Sequence, residues 1–155
     1  MCKCKSECSC VKSCEKSCPS KLSFYFDKND PQFYSKVAVI NQSTTNLVEH
    51  VFINTPIYNN CGVQIGYKSS DDVLQQVGVN KYLVKILNTY FIEGKGTINW
   101  QYSFITDKPS VYYPIGIEAK STILSGTGCY IGAEGTVSLM PLVTGRRNVT
   151  IKFSS

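Results

Sequence analysis

The chain has 155 residues, a formal net charge of +5, 43% hydrophobic and 17% charged residues. That suits one ordinary domain with its own core and excludes a chain that is disordered throughout. No segment reaches the ~18 consecutive apolar residues of a membrane-spanning helix.

Six of the eight cysteines, Cys2, Cys4, Cys8, Cys10, Cys14 and Cys18, fall in the first eighteen positions. Five lysines (Lys3, Lys5, Lys12, Lys16 and Lys21) stand with them against Glu7 and Glu15. We divide the chain into a Cys- and Lys-rich arm, 1–21, and a body, 22–155. The arm has no aromatic residue to stack on bases, which argues against nucleic acid as a partner. It has no apolar h-region, so as written it reads as no secretory signal, and the chain reads as made inside a cell. Clustered thiols beside lysines have lowered pKa values and suit zinc or copper(I). Disulfides within the arm or between chains, lipidation of Cys2 or Cys4, and unused thiols stay open beside metal.

The body alternates apolar and polar residues. In Thr97–Ile105, Ile98, Trp100, Tyr102 and Phe104 share one face and Thr97, Asn99, Gln101 and Ser103 the other, the period of a half-buried strand. Similar runs fall at about 22–27, 36–41, 47–54, 61–68, 80–92, 114–124, 136–143 and 146–153, rich in Val, Ile, Thr, Tyr and Phe. Asn29-Asp30-Pro31, Asn59-Asn60, Gly94-Lys95-Gly96, Asp107-Lys108-Pro109 and Thr144-Gly145 punctuate them. Asp71–Val77 is the one stretch that could hold a helical turn, and the pair Asp71-Asp72 reads as a turn or cap. Eight or nine antiparallel strands without helices predict a barrel or sandwich, and the long runs favour a barrel.

Cys61 and Cys129 read as ordinary strand and turn positions. The single histidine, His50, shares a face with Val48 and Phe52 and reads as a partly buried strand residue. Arg146 and Arg147 read as a solvated hairpin corner. Gly126, Gly128, Gly132 and Gly135 lie in a run, Ser125–Gly135, that follows one strand and precedes another. A phosphate loop would need a helix to follow, so the run predicts a tight turn with close backbone packing.

That run resembles the GGTGxYxGAxG pattern of dirigent proteins and the related allene oxide cyclase barrels. Leu22–Asp27, Gly62–Tyr67 and Phe91–Ile98 are similar to further family strands, in family order. The resemblance spans about 22–153 and is specific over about 122–137. It implies an all-β, eight-stranded antiparallel barrel, often a homo-oligomer, with a hydrophobic lumen in which carboxylates and an Arg, or a Glu and an Asn, steer a small molecule. By position only Asp27 matches a family acid, and Phe26 stands where a histidine usually precedes it. The arm has no family counterpart.

Two functions follow from this reading. One is a non-catalytic building block tied to neighbours through the arm by disulfides or metal, for example in a virion. The other is a barrel that binds or cyclises a small hydrophobic molecule, with Asp27 as candidate catalytic group and Tyr25, His50, Tyr67 and Trp100 as candidate ligand contacts.

Overall fold

The computed structural model describes residues 20–42 and 46–154. The arm cysteines, and with them the metal, disulfide and lipidation readings, lie outside the described residues.

The body is a closed antiparallel barrel. Its strands are β1 (Lys21–Asp27), β2 (Tyr34–Gln42), β3 (Leu47–Tyr58), β4 (Gln64–Gly78), β5 (Lys81–Ile92), β6 (Gly96–Thr106), β7 (Ala119–Gly126), β8 (Gly135–Pro141) and β9 (Arg146–Phe153). They follow one another in the order β1-β9-β8-β7-β6-β5-β4-β3-β2. A β1–β3 pairing at Tyr25 and Tyr58 closes eight of them, and β2 lies outside the ring against β3. The one helical element among the described residues is a single 3-10 turn, Gly128–Tyr130. No described helix is long and apolar enough to cross a membrane.

Residues alternate in and out along each strand. The wall facing inward carries Phe24 and Phe26 of β1, Ile53 and Ile57 of β3, Val84, Ile86 and Tyr90 of β5, Trp100 of β6, Val137 and Leu139 of β8, and Val149 and Ile151 of β9. Removing these side chains from water is the main favourable term, about 1.5–3 kcal/mol for each large aliphatic.

The glycine run forms the predicted close-packed turn. Gly128 (φ +61°) and Gly132 (φ +71°) both adopt the left-handed conformation. At Gly128 a Cβ would also strike the Lys95 carbonyl, whereas at Gly132 it would meet open space. Neither Gly126 nor Gly135 has room for a Cβ either. Cys129 lies in the run as expected, but Cys61 sits in the β3–β4 turn and not on a strand, and both are disulfide-bonded, which their spacing does not reveal.

Three expectations are corrected. Asp71–Val77 forms no turn or helix but the second half of β4, paired with β3 and β5. Residues 107–118 are irregular, so the expected strand at 114–124 begins only at Ala119. Arg147 is buried, 3% exposed, with its guanidinium donating to the Gly145 carbonyl, while Arg146 stays outside, 3.6 Å above the Tyr25 ring.

Candidate functional site in the barrel lumen

The inner face of β4 is polar. Lys68, Ser70 and Asp72 point inward between Gly66 and Leu74, and the two charged side chains are only 2% and 1% exposed. Cross-strand register places them in layers. Thr55, Lys68, Tyr90 and Ile98 form one; Ile53, Ser70, Asn88 and Trp100 the next; Val51, Asp72, Ile86 and Tyr102 the third. A polar stripe therefore runs up one wall of an otherwise apolar and aromatic lumen.

Lys68 Nζ donates to Ser70 Oγ at 2.8 Å and lies 5.1 Å from the Phe26 ring centre. Burial pulls the Lys68 ammonium down to about 8; Asp72 opposes that shift and Arg147 adds to it. Burial likewise pushes the Asp72 carboxyl up to about 6, against the pull of Lys68 and a hydrogen bond from Ser70. Ser70 thus connects the two charged groups. Burial also lowers Arg147, and Asp27 is the main group opposing that.

A loop closes this end of the lumen. Residues 107–118 carry Val111 and Tyr113 inward, both 7% exposed. The Tyr113 ring stacks near Trp100 (6.5 Å between centres), Tyr102 (6.1 Å) and Phe104 (6.4 Å), and its hydroxyl accepts from Asn88 Nδ2 at 2.9 Å. Gly116 N–H donates to the Pro141 carbonyl and holds the loop to the β8 end.

Beneath the loop, Phe26, Ile53, Val111 and Tyr113 wall a recess that reaches Lys68 and Asp72, with Lys28, Phe33 and Tyr112 around it toward solvent. Its free volume is about 20 Å³, room for about one water molecule. Asp72 Oδ1 and Asn88 Oδ1 are buried without a hydrogen-bond partner among the described residues, while the buried Trp100 indole N–H and Tyr90 hydroxyl face one another. Buried polar atoms are almost always paired, so the unpaired oxygens of Asp72 on β4 and Asn88 on β5 are exceptions within this lumen.

Of the candidate catalytic and ligand residues read from the sequence, Asp27, Tyr25, His50, Tyr67 and Trp100, only Trp100 lines the lumen. Tyr25 lies on the outer face, stacked on Tyr58 at 5.5 Å. His50 is also outside, with Nδ1 3.2 Å from Asp71 Oδ1. Tyr67 is half exposed on the outer face of β4. Asp27 ends β1, where Oδ1 accepts the Asn29 N–H at 2.8 Å and shapes the following turn. The structure does not bring these residues to one site. Lys68, Ser70, Asn88 and Tyr113 were not singled out, and Asp72 was noted only in the pair Asp71-Asp72, read there as a turn or cap and not as a lumen residue. Their one signal is the spacing Lys68-x-Ser70-x-Asp72, which puts three polar groups on one face of any strand. Among the described residues no cluster of three or more His, Cys, Asp or Glu could hold a metal ion.

Fold and lumen together define a closed β-barrel with an ionisable pair buried inside it. No protein-family model matches the chain, and no curated protein matches it in sequence. Its fold is similar to a solved structure titled pyocyanin demethylase, with TM-score 0.60 and 15% identity over 86% of this chain and 99% of that one. AbnU, titled an exo-specific intermolecular Diels-Alderase, aligns with TM-score 0.48 and 12% identity over 87% of this chain and 98% of that one.

Proposed function

We propose that this barrel binds a small, largely apolar molecule carrying one polar group. The apolar part sits among Phe26, Ile53 and the aromatic side chains, and the polar group meets Lys68, Ser70 and Asp72. The observation that carries the reading is the buried stripe itself. Two charged side chains and two unpaired polar oxygens inside a lumen lower the stability of the empty fold, a cost that a ligand pairing with them would offset. The resemblance of Ser125–Gly135 to dirigent and allene oxide cyclase barrels points the same way. So does the shared fold with pyocyanin demethylase, whose title describes an enzyme acting on a small molecule.

Binding a molecule larger than water requires the Tyr113 loop to move outward, because the present recess is too small. The reading predicts that crystals soaked with small aromatic and aliphatic compounds hold one against Lys68, with Tyr113 displaced. Compounds bound only outside the barrel would count against it.

A second reading, the building block, rests on β2. Among the described strands it pairs with β3 alone, and Tyr34, Val37, Val39 and Ile40 are each 44–64% exposed. A strand with one open edge and exposed apolar side chains is a template for pairing with another chain. Light scattering is then expected to show an oligomer that charged substitutions at Val37 and Val39 dissociate; a monomer across the concentration range would remove this reading.

A further inference from the structure

Lys68 has the setting of a reactive amine. Its side chain is 2% exposed, on a rigid inner strand, between the Phe26 ring and Ser70. The recess under the Tyr113 loop reaches it. We propose that Lys68 condenses with a small aldehyde or ketone in this recess to form an imine, with Ser70 and Asp72 carrying the protons. The proposal rests on the lumen-binding reading and adds to it the chemical class of the ligand.

Charge and burial favour the step. The charged and titratable groups around Lys68 are Asp72 on its own strand, Arg147 on β9, Tyr90 across on β5, Tyr113 on the closing loop, and Lys28 at the recess. With the ammonium lowered to about 8, about a tenth of Lys68 is the neutral nucleophile at pH 7. An exposed lysine offers on the order of one part in a few thousand. Desolvation in an apolar pocket is a known way to activate an amine.

The chemistry balances without an oxidant or reductant. The Nζ lone pair adds to the carbonyl carbon, forming the C–N bond, and a proton moves from nitrogen to the former carbonyl oxygen. Loss of that hydroxyl, protonated through Asp72, releases one water and leaves the C=N bond. Asp72 then recovers the proton that nitrogen gives up. Two features equip Asp72 for this. Its carboxyl is pushed up to about 6, so it both holds and releases a proton near neutral pH, and Ser70 hydrogen-bonds both it and Lys68. The unpartnered Asp72 Oδ1 is the oxygen left to face the departing hydroxyl.

The test is reductive trapping on the full chain. The protein is incubated with benzaldehyde or butanal and sodium cyanoborohydride, whose hydride adds to the imine carbon and fixes a secondary amine. Peptide mapping then gives the rate at each lysine. Lys68 is expected to be labelled about ten-fold or more faster than exposed Lys85 and Lys120, because more of it is neutral. Asp72→Asn should slow labelling at Lys68 and leave Lys85 and Lys120 unchanged, and Lys68→Arg should abolish the fast site. Labelling of Lys68 no faster than the exposed lysines overturns the imine. If benzaldehyde nevertheless changes Trp100 fluorescence, lumen binding survives that failure; if it changes neither, both readings fall. The rate comparison is made on the unaltered protein, so it holds even where a variant does not fold.

Discussion

The double variant Lys68→Met, Asp72→Leu is expected to be more stable than the parent, by about 1–4 kcal/mol. Both side chains are buried in the lumen. Each has its ordinary pKa moved by roughly two units toward the neutral form, on the order of 3 kcal/mol at 1.36 kcal/mol per unit. Apolar side chains of similar size remove that penalty and leave Ser70 as the main polar group of the stripe. The single variant Asp72→Leu should behave in the opposite sense, because it leaves Lys68 facing Arg147 with no acid beside it.

The pH dependence gives the same prediction a sharper form. The folded pKa of Asp72, about 6, is above its ordinary 3.8. Between those values the folded protein holds more protons than the unfolded chain, so its contribution to stability falls as pH rises through this window. The folded pKa of Lys68, about 8, is below its ordinary 10.5. There the unfolded chain holds more protons, and stability rises with pH. The difference in unfolding free energy between double variant and parent should therefore be largest between about pH 6 and 8 and shrink on both sides. Urea unfolding across pH measures it. A double variant less stable than the parent would show that the pair stabilises the fold, and a pH-independent difference would show that burial does not shift the two groups.

Trp100→Ala is expected to destabilise by about 3–5 kcal/mol, the range for deleting a large buried aromatic. Trp100 is fully buried, lies 6.3 Å from Tyr90 and stacks with Tyr113, so its loss opens a void in the middle layer of the lumen. It also takes away a wall on which the closing loop rests, so amide exchange across 107–118 should quicken. Trp100→Phe should lose less, because it keeps a ring against Tyr90 and Tyr113 and leaves a smaller void. A loss below about 1 kcal/mol for Trp100→Ala would mean that the lumen collapses around the gap, contrary to the packing described.

Strand periodicity made β6, β1 and β9 legible, since each alternates apolar and polar residues. The glycine run was legible because backbone contact at that spacing tolerates no side chain. The failures share a physical cause. Where the inner face is itself polar, as at Lys68, Ser70 and Asp72 opposite Ser69 and Asp71, the alternation vanishes, and residues 71–77 read as a turn. Where a loop alternates by accident, as at exposed Ile115 and Ile117, a strand is expected that does not form. Tyr25, His50 and Tyr67 drew notice as residue types, but they lie on the faces turned away from the lumen. Tyr113 enters the lumen from an irregular loop, a placement that no local pattern encodes.

Lumen binding is tested by a crystallographic screen in which crystals are soaked with a broad set of small aromatic and aliphatic compounds. Compounds are expected inside the lumen, with a polar atom within hydrogen-bond distance of Lys68 or Asp72 and Tyr113 moved from its place beside Trp100. Compounds found only on the outer faces, with Tyr113 seated against Asn88 in every data set, would contradict it.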